Sequence, residues 1–206
     1  MITAPNLEEL RWLIHGFGLR NSQYPAGIVT VKQIHSNVVL SADGENSREG
    51  DAIISNQPGV IVGIRTADCV PILLADPQTR AVASIHAGWR GTAANIVAEA
   101  VAAMTSNWQT RPEDLRAAIG PSIGPCCYEV GPEVARQFGV DTAKPVHIGL
   151  ALENEKQLQS LGVRNIWNSG ECTFCASERF FSFRRERERA GRMLSFIGSK
   201  IHRADP

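Results

Sequence analysis

The chain has 206 residues, 43% hydrophobic and 20% charged, with 21 Lys plus Arg against 21 Asp plus Glu. That composition supports a packed core without disulfide or metal staples, and the charge balance lacks the basic footprint of a nucleic-acid binder. No apolar stretch reaches the roughly 18 residues that cross a bilayer, and the start, MITAPNLEELRW, lacks a basic segment followed by an apolar one, so a cytoplasmic protein without membrane or nucleic-acid partners is expected.

Short apolar runs fill the first half. Strands are expected at Leu13–Phe17, Gly27–Val31, Val38–Leu40, Ala52–Ile54, Val60–Ile64, Pro71–Ala75 and Val82–Ile85, with turn signals at 42–51, 56–59 and 76–79. Val60–Ile64 and Pro71–Ala75 are almost continuously apolar, which predicts burial on both faces. One long helix is expected from Gly91 to Trp108, with Thr92 as N-cap and Ile96, Val97, Ala100, Val101 and Met104 on one face. A buried strand over Leu115–Gly120 follows, then the loop GPSIGPCCYEVG and a short helix stopped by Gly139. A second longer helix is expected over Leu150–Leu161, stopped by Gly162. The tail RFFSFRRERERAGRMLSFIG reads as two strands joined by a charged turn, with Arg184–Arg192 as a solvated run. The expected fold class is α+β, with mixed β-sheets packed between helices in one domain over 1–206.

Five cysteines are an odd number for a disulfide framework. Cys126 and Cys127 are adjacent, and the C-x-x-C of Cys172 and Cys175 has no second pair at zinc-ribbon spacing. Reduced thiols are expected.

Three reactive side chains stand where apolar runs end: His35 in KQIHSNVV, Cys69 in TADC and His86 in HAGWRG. Imidazole and thiolate suit zinc, and three protein ligands leave a fourth tetrahedral position open. The same residues also fit a Cys69 nucleophile with His86 as its base, and a lone buried cysteine is often only a small apolar filler. Arg90 precedes the expected helix, where a guanidinium would join free N–H groups and the positive dipole end in an anion site.

The segments KQIHSNVV, GDAIISNQPGVIVGIRTADCVPILLADP, VASIHAGWRGTAANIVAEAV, AAIGPSIGPCCYEVG and FFSFRRERERAGRMLSFI together resemble the bacterial YfiH family. That family is also called the multicopper polyphenol oxidoreductase or laccase-domain family, and it includes the human laccase-domain protein. The resemblance runs from about Ile14 to Ile197, and T-A-D-C with H-A-G-W-R-G is its most specific part. It implies a YfiH-like fold with His35, Cys69 and His86 as metal ligands, for zinc or alternatively copper. The activity it implies is phosphorolysis of adenosine, inosine and methylthioadenosine together with adenosine deamination. Partners are then purine nucleosides and phosphate, with a monomer or weak homodimer expected.

Within that frame Asp51 and Asp68 are the in-motif acids for proton shuttling. Arg65 assists Arg90 at the phosphate, with Arg184 and Arg185 as weaker candidates. Cys126, Cys127 and Tyr128 lie on a loop expected to close over the substrate. The chain departs from the family in a short HGFGLRNSQYPAG loop, and in IGLALENEKQL, which keeps Asn154 without the usual tryptophan. The alternatives are a Cys69–His86 hydrolase or deamidase, a cell-wall editing factor, and a copper polyphenol oxidase. For the oxidase, five histidines are too few to build a blue-copper centre and a trinuclear cluster.

Overall fold

Alternation of side chains along the strands decides how the layers stack. The structure, a computed structural model, describes residues 1–42 and 48–200. Its strands are β1 (Leu13–Phe17), β2 (Val29–Thr30), β3 (Val39–Ser41), β4 (Ala52–Ser55), β5 (Ile61–Thr66), β6 (Val70–Ala75), β7 (Val82–Ala87), β8 (Arg116–Ile119), β9 (Glu129–Val130), β10 (Val146–His147), β11 (Asn165–Asn168) and β12 (Met193–Ser199). The helices are α1 (Pro5–Glu8), α2 (Trp89–Ala93), α3 (Ile96–Trp108), α4 (Pro132–Ala135), α5 (Leu150–Ser160) and α6 (Phe183–Glu186). A six-stranded sheet runs β11-β8-β6-β7-β4-β3, a four-stranded sheet runs β1-β12-β5-β2, and β9 pairs with β10.

The six-stranded sheet is covered on both faces. Val70, Ile72 and Leu74 of β6 point to one side with Ala83 and Ile85 of β7. There they meet Ile96, Val97, Ala100, Val101 and Met104 of α3 and Leu150 and Leu158 of α5. Leu73, Ala75, Val82 and Ala118 point to the other side, against Leu13, Phe17, Val62, Ile64 and Ile197 of the four-stranded sheet. β6 is buried along its whole length, as its continuous apolar run predicts. Each fully buried Ile or Leu contributes about 1.5–3 kcal/mol. The α+β expectation with mixed sheets holds, and the layers run long helices, six-stranded sheet, four-stranded sheet.

Three expectations change. The helix expected from Gly91 is two helices, because Asn95 adopts a left-handed φ of 56° between them, a conformation that asparagine tolerates better than most residues. Gly88, not Thr92, stands at the N-cap of α2; Thr92 is buried, and its hydroxyl accepts from Asn154 Nδ2 at 2.9 Å. The first strand expected in the tail, ahead of Arg184, does not form: 179–182 is irregular, and the charged run opens with the short helix α6, capped by Ser182 Oγ, which accepts from Arg185 N at 3.2 Å. β11, parallel to β8 at the sheet edge, was not expected. Part of the turn signal at 42–51 lies outside the described residues. Among the described residues, no helix is long and apolar enough to cross a membrane.

Candidate metal and anion site

Strand ends converge on His35, Cys69 and His86. Cys69 closes the connection from β5 to β6, and His86 faces Pro71 in the β6–β7 register. His35 follows β2 with φ at 60°. One donor atom from each of the three lies within 4.8 Å of the others, and the two imidazoles meet edge to face at 4.9 Å between centroids.

Asp51 holds the group together from behind. It is fully buried, and its Oδ1 accepts from His35 N at 3.0 Å and from His86 Nδ1 at 2.8 Å. Its Oδ2 accepts from Ser36 N at 2.6 Å and Ser36 Oγ at 2.7 Å. One carboxylate therefore fixes both the loop that carries His35 and the His86 tautomer, leaving Nε2 of His86 to face the group. The left-handed backbone at His35, costing on the order of 1–3 kcal/mol, persists because these bonds over-determine it.

The protonation states follow from the same contacts. Burial pushes Asp51 up, but hydrogen bonds from His86 and Ser36 outweigh it and hold the carboxyl at about 2. Burial pushes the Cys69 thiol up as well, yet hydrogen bonds with His35 and His86 bring it down to about 6. Burial lowers His86, while its bonds to Asp51 and Cys69 raise it to about 9. Near neutral pH the metal-free group is thus a thiolate beside an imidazolium.

The donors fit a tetrahedral ion. Bonds of about 2.0–2.3 Å place donors about 3.3–3.8 Å apart, a small contraction from the observed spread. Gly88 leaves the room: a Cβ there would stand 3.1 Å from Cys69 Sγ and 3.3 Å from His35 Cδ2.

The group opens on a cavity of about 650 Å³. Arg65, Arg90, Arg184, Arg187 and Arg192 line it, as do Trp89, Tyr128 and Phe183. Gln33 fixes the backbone of Arg65 by a reciprocal pair of 2.8 Å hydrogen bonds. The Arg90 guanidinium stacks on Trp89 at 4.3 Å, and that of Arg184 lies 5.3 Å from the Tyr128 centroid. Burial is the main reason Tyr128 is pushed up to about 12, so its hydroxyl stays protonated.

Asp68 is the carboxylate on the cavity wall. Its Oδ1 accepts from Thr173 Oγ1 at 2.7 Å, and its Oδ2 from Ser182 Oγ at 3.0 Å and Arg184 N at 2.7 Å. It thereby draws α6, and with it part of the arginine run, to the rim.

Measured against the sequence reading, His35, Cys69 and His86 come together, and Arg65, Asp68, Arg90 and Tyr128 share their cavity. Asp51 lies behind the group rather than on the cavity wall. Cys126 and Cys127 do not line the cavity; they turn towards Cys172 and Cys175. Arg90 sits inside the five-residue helix α2, not ahead of a long one, so the anion-attracting property lies in converging guanidinium groups. The run expected to be solvated supplies Arg184, Arg187 and Arg192 to the wall. Arg185 turns away to the carbonyls of Thr173 and Phe174, at 2.9 and 2.6 Å. Gln33, Trp89, Phe183, Arg187 and Arg192 were missed. The signal for the arginines was their alternation with glutamates, which reads equally well as a hydrated turn.

The fold and site define an α+β protein whose imidazole–thiolate group opens on an arginine-lined cavity. A family model described as multi-copper polyphenol oxidoreductase laccase matches residues 10–200, and the chain belongs to that family. A protein named purine nucleoside phosphorylase from Deinococcus radiodurans is 39% identical over 176 residues, covering 82% of this chain and 68% of that protein. Purine nucleoside phosphorylase YfiH of Escherichia coli is 36% identical, covering 84% and 74%. Adenosine deaminase RL5, from an unknown prokaryotic organism, is 38% identical, covering 76% and 65%. The crystal structure of YlmD from Geobacillus stearothermophilus superposes with a TM-score of 0.84 at 27% identity, covering 96% of this chain and 94% of that one.

Proposed function

We propose that the protein is a purine nucleoside phosphorylase that cleaves adenosine, inosine or methylthioadenosine with phosphate and also deaminates adenosine. One observation carries the reading: five arginines, an aromatic wall and the His35–Cys69–His86 group face the same cavity. The names of the relatives from Deinococcus radiodurans and Escherichia coli support phosphorolysis, and that of RL5 supports deamination.

In phosphorolysis a phosphate oxygen bonds to the anomeric carbon while the glycosidic C–N bond breaks and the purine leaves with its electron pair. Arg90, with Arg65 and the guanidinium groups of the α6 segment, binds and orients the phosphate through charge-assisted hydrogen bonds. Trp89, Tyr128 and Phe183 offer faces for the purine. Three acceptor directions of Asp68 are taken, which leaves one on Oδ1 for a ribose hydroxyl or a purine N–H. Asp51 is a positioning residue that keeps His86 in one tautomer. His35, Cys69 and His86 would hold zinc, with copper as the alternative ion for these donors. When bound, the ion supplies Lewis acidity and lowers the pKa of water.

The test is purified protein with inosine, with and without phosphate, followed by product analysis. Hypoxanthine and ribose 1-phosphate formed only with phosphate are expected; free ribose formed equally without phosphate overturns the reading.

A second reading has its own observation. Asp51, His86 and Cys69 are linked in the order of a carboxylate–imidazole–thiolate triad, the arrangement of a cysteine hydrolase. A metal-free protein that is active and inactivated by alkylation of Cys69 would establish it. The copper-oxidase reading has the family description behind it but not the ligands: among the described residues two histidines reach the group, and His15 instead accepts from Ala4 N at 2.9 Å.

A further inference from the structure

Two loops remote in sequence meet beside the cavity. The loop after β8 carries Cys126 and Cys127, and the turn after β11 carries Cys172 and Cys175. Ser122 and Cys172 form a β-bridge, with Thr173 N donating to Ser122 O at 3.0 Å and Ser122 N to Glu171 O at 3.2 Å. That bridge brings all four sulfurs within 4.8 Å of one another. Cys127 Sγ lies 3.4 Å from Cys175 Sγ, and Cys126 Sγ lies 3.7 Å from it. A disulfide needs about 2.05 Å. A tetrahedron built on metal–sulfur bonds of about 2.3 Å has edges of about 3.8 Å, and the observed separations match the second figure.

The surroundings agree with ligation. Gly124 N donates to Cys172 Sγ at 3.2 Å, a contact that favours the thiolate. A Cβ at Gly124 would come within 3.3 Å of Cys126 Sγ, so glycine allows this close approach. Sulfur alone forms the donor set, which selects a soft or borderline ion over magnesium or calcium. Four protein donors fill a tetrahedron and leave no open position.

We propose that Cys126, Cys127, Cys172 and Cys175 form a second, closed zinc site that clamps these two loops together. Zinc displaces the thiol protons to solvent, with no change of oxidation state. The clamp bears on the cavity because one loop lines it and the other holds a residue of its wall. Ile123 and Tyr128 come from one, and Thr173 of the other holds Asp68.

The test begins with Cys69→Ala, which takes the thiolate out of the first group and leaves these four thiols intact. Elemental analysis should find one zinc per chain in that variant, and X-ray absorption should find four sulfur neighbours near 2.3 Å. Adding Cys172→Ser and Cys175→Ser should remove it. Wild-type protein examined by the same absorption measurement guards against misfolding of the variants, and there the all-sulfur shell should add to a mixed nitrogen and sulfur shell. The proposal is overturned if Cys69→Ala protein purified with zinc present holds none. It is also overturned if a non-reducing peptide map of fresh protein shows a disulfide among the four cysteines. Loss of phosphorolysis in Cys69→Ala with this zinc retained bears on the proposed function alone.

Discussion

The two sulfur-containing groups are built on opposite plans. His35, Cys69 and His86 mix nitrogen with sulfur and face a cavity with a carboxylate behind them; Cys69 and His86 lie at the ends of buried strands, and His35 on the loop after β2. The four cysteines are all sulfur, sit on loops with Cys126 and Cys175 exposed, and face one another. An open position needs a scaffold that keeps three donors in place without a fourth, and the β4–β7–β6 register with Asp51 provides it. A closed set of four can instead organise flexible chain by itself. Rigidity is thus supplied by the sheet in one case and by the ligation in the other.

The first group depends most on Cys69. Cys69→Ala should reduce phosphorolysis to background in a product assay, since two remaining donors hold an ion poorly. Asp51→Asn comes next: it keeps the shape but weakens the hold on His86, and a zinc-competition titration should show affinity at the first group down by about 10–100-fold. The four-cysteine group, which has no such carboxylate, should keep its affinity.

Alkylation reports on the protonation state of Cys69. In metal-free protein, with the thiol at about 6, the iodoacetamide rate at Cys69 should climb as pH rises through 6 and level off above it. The thiolate is the reacting form and is present above the folded pKa. Peptide mapping must assign the label, and zinc should slow it at Cys69 by about tenfold or more, because ligation occupies the sulfur lone pair. Arg90→Ala is the mildest change. One charge-assisted contact of about 1.5–3 kcal/mol corresponds to roughly tenfold or more in the KM for phosphate, with deamination nearly unchanged. Equal loss of both activities would assign Arg90 a structural role, stacked on its neighbour Trp89 within α2.

These residues differ in how visible they were before folding. β1 and β4 to β7 were legible because apolar runs with turn signals at both ends have few other structures open to them. His35, Cys69 and His86 were legible as ends of such runs, and their order in a specific motif set made the family resemblance. The break at Asn95 was hidden, since helical periodicity continues across it. α6, read as part of a charged turn, was hidden because its start is fixed by Asp68, far away in sequence, which captures the amide of Arg184. The four cysteines were scattered for the same reason: an adjacent pair and a C-x-x-C acquire a common centre only once β8 and β11 lie side by side. β11 was itself obscured by its short length and its asparagines at both ends.

The β4–β7–β6 register also implies an order of events during folding. His35 and Cys69 come from two separate connections and His86 from β7, and Asp51 reaches His86 across the β4–β7 pairing. Such contacts span long stretches of chain and form late, after the entropic cost of closing those loops has been met. An ion that binds the finished group therefore has little hold on partly folded chains. In protein carrying Cys172→Ser and Cys175→Ser, which keeps only the first group, added zinc should slow unfolding while leaving the refolding rate almost unchanged, so that stopped-flow traces shift on one arm of the chevron only.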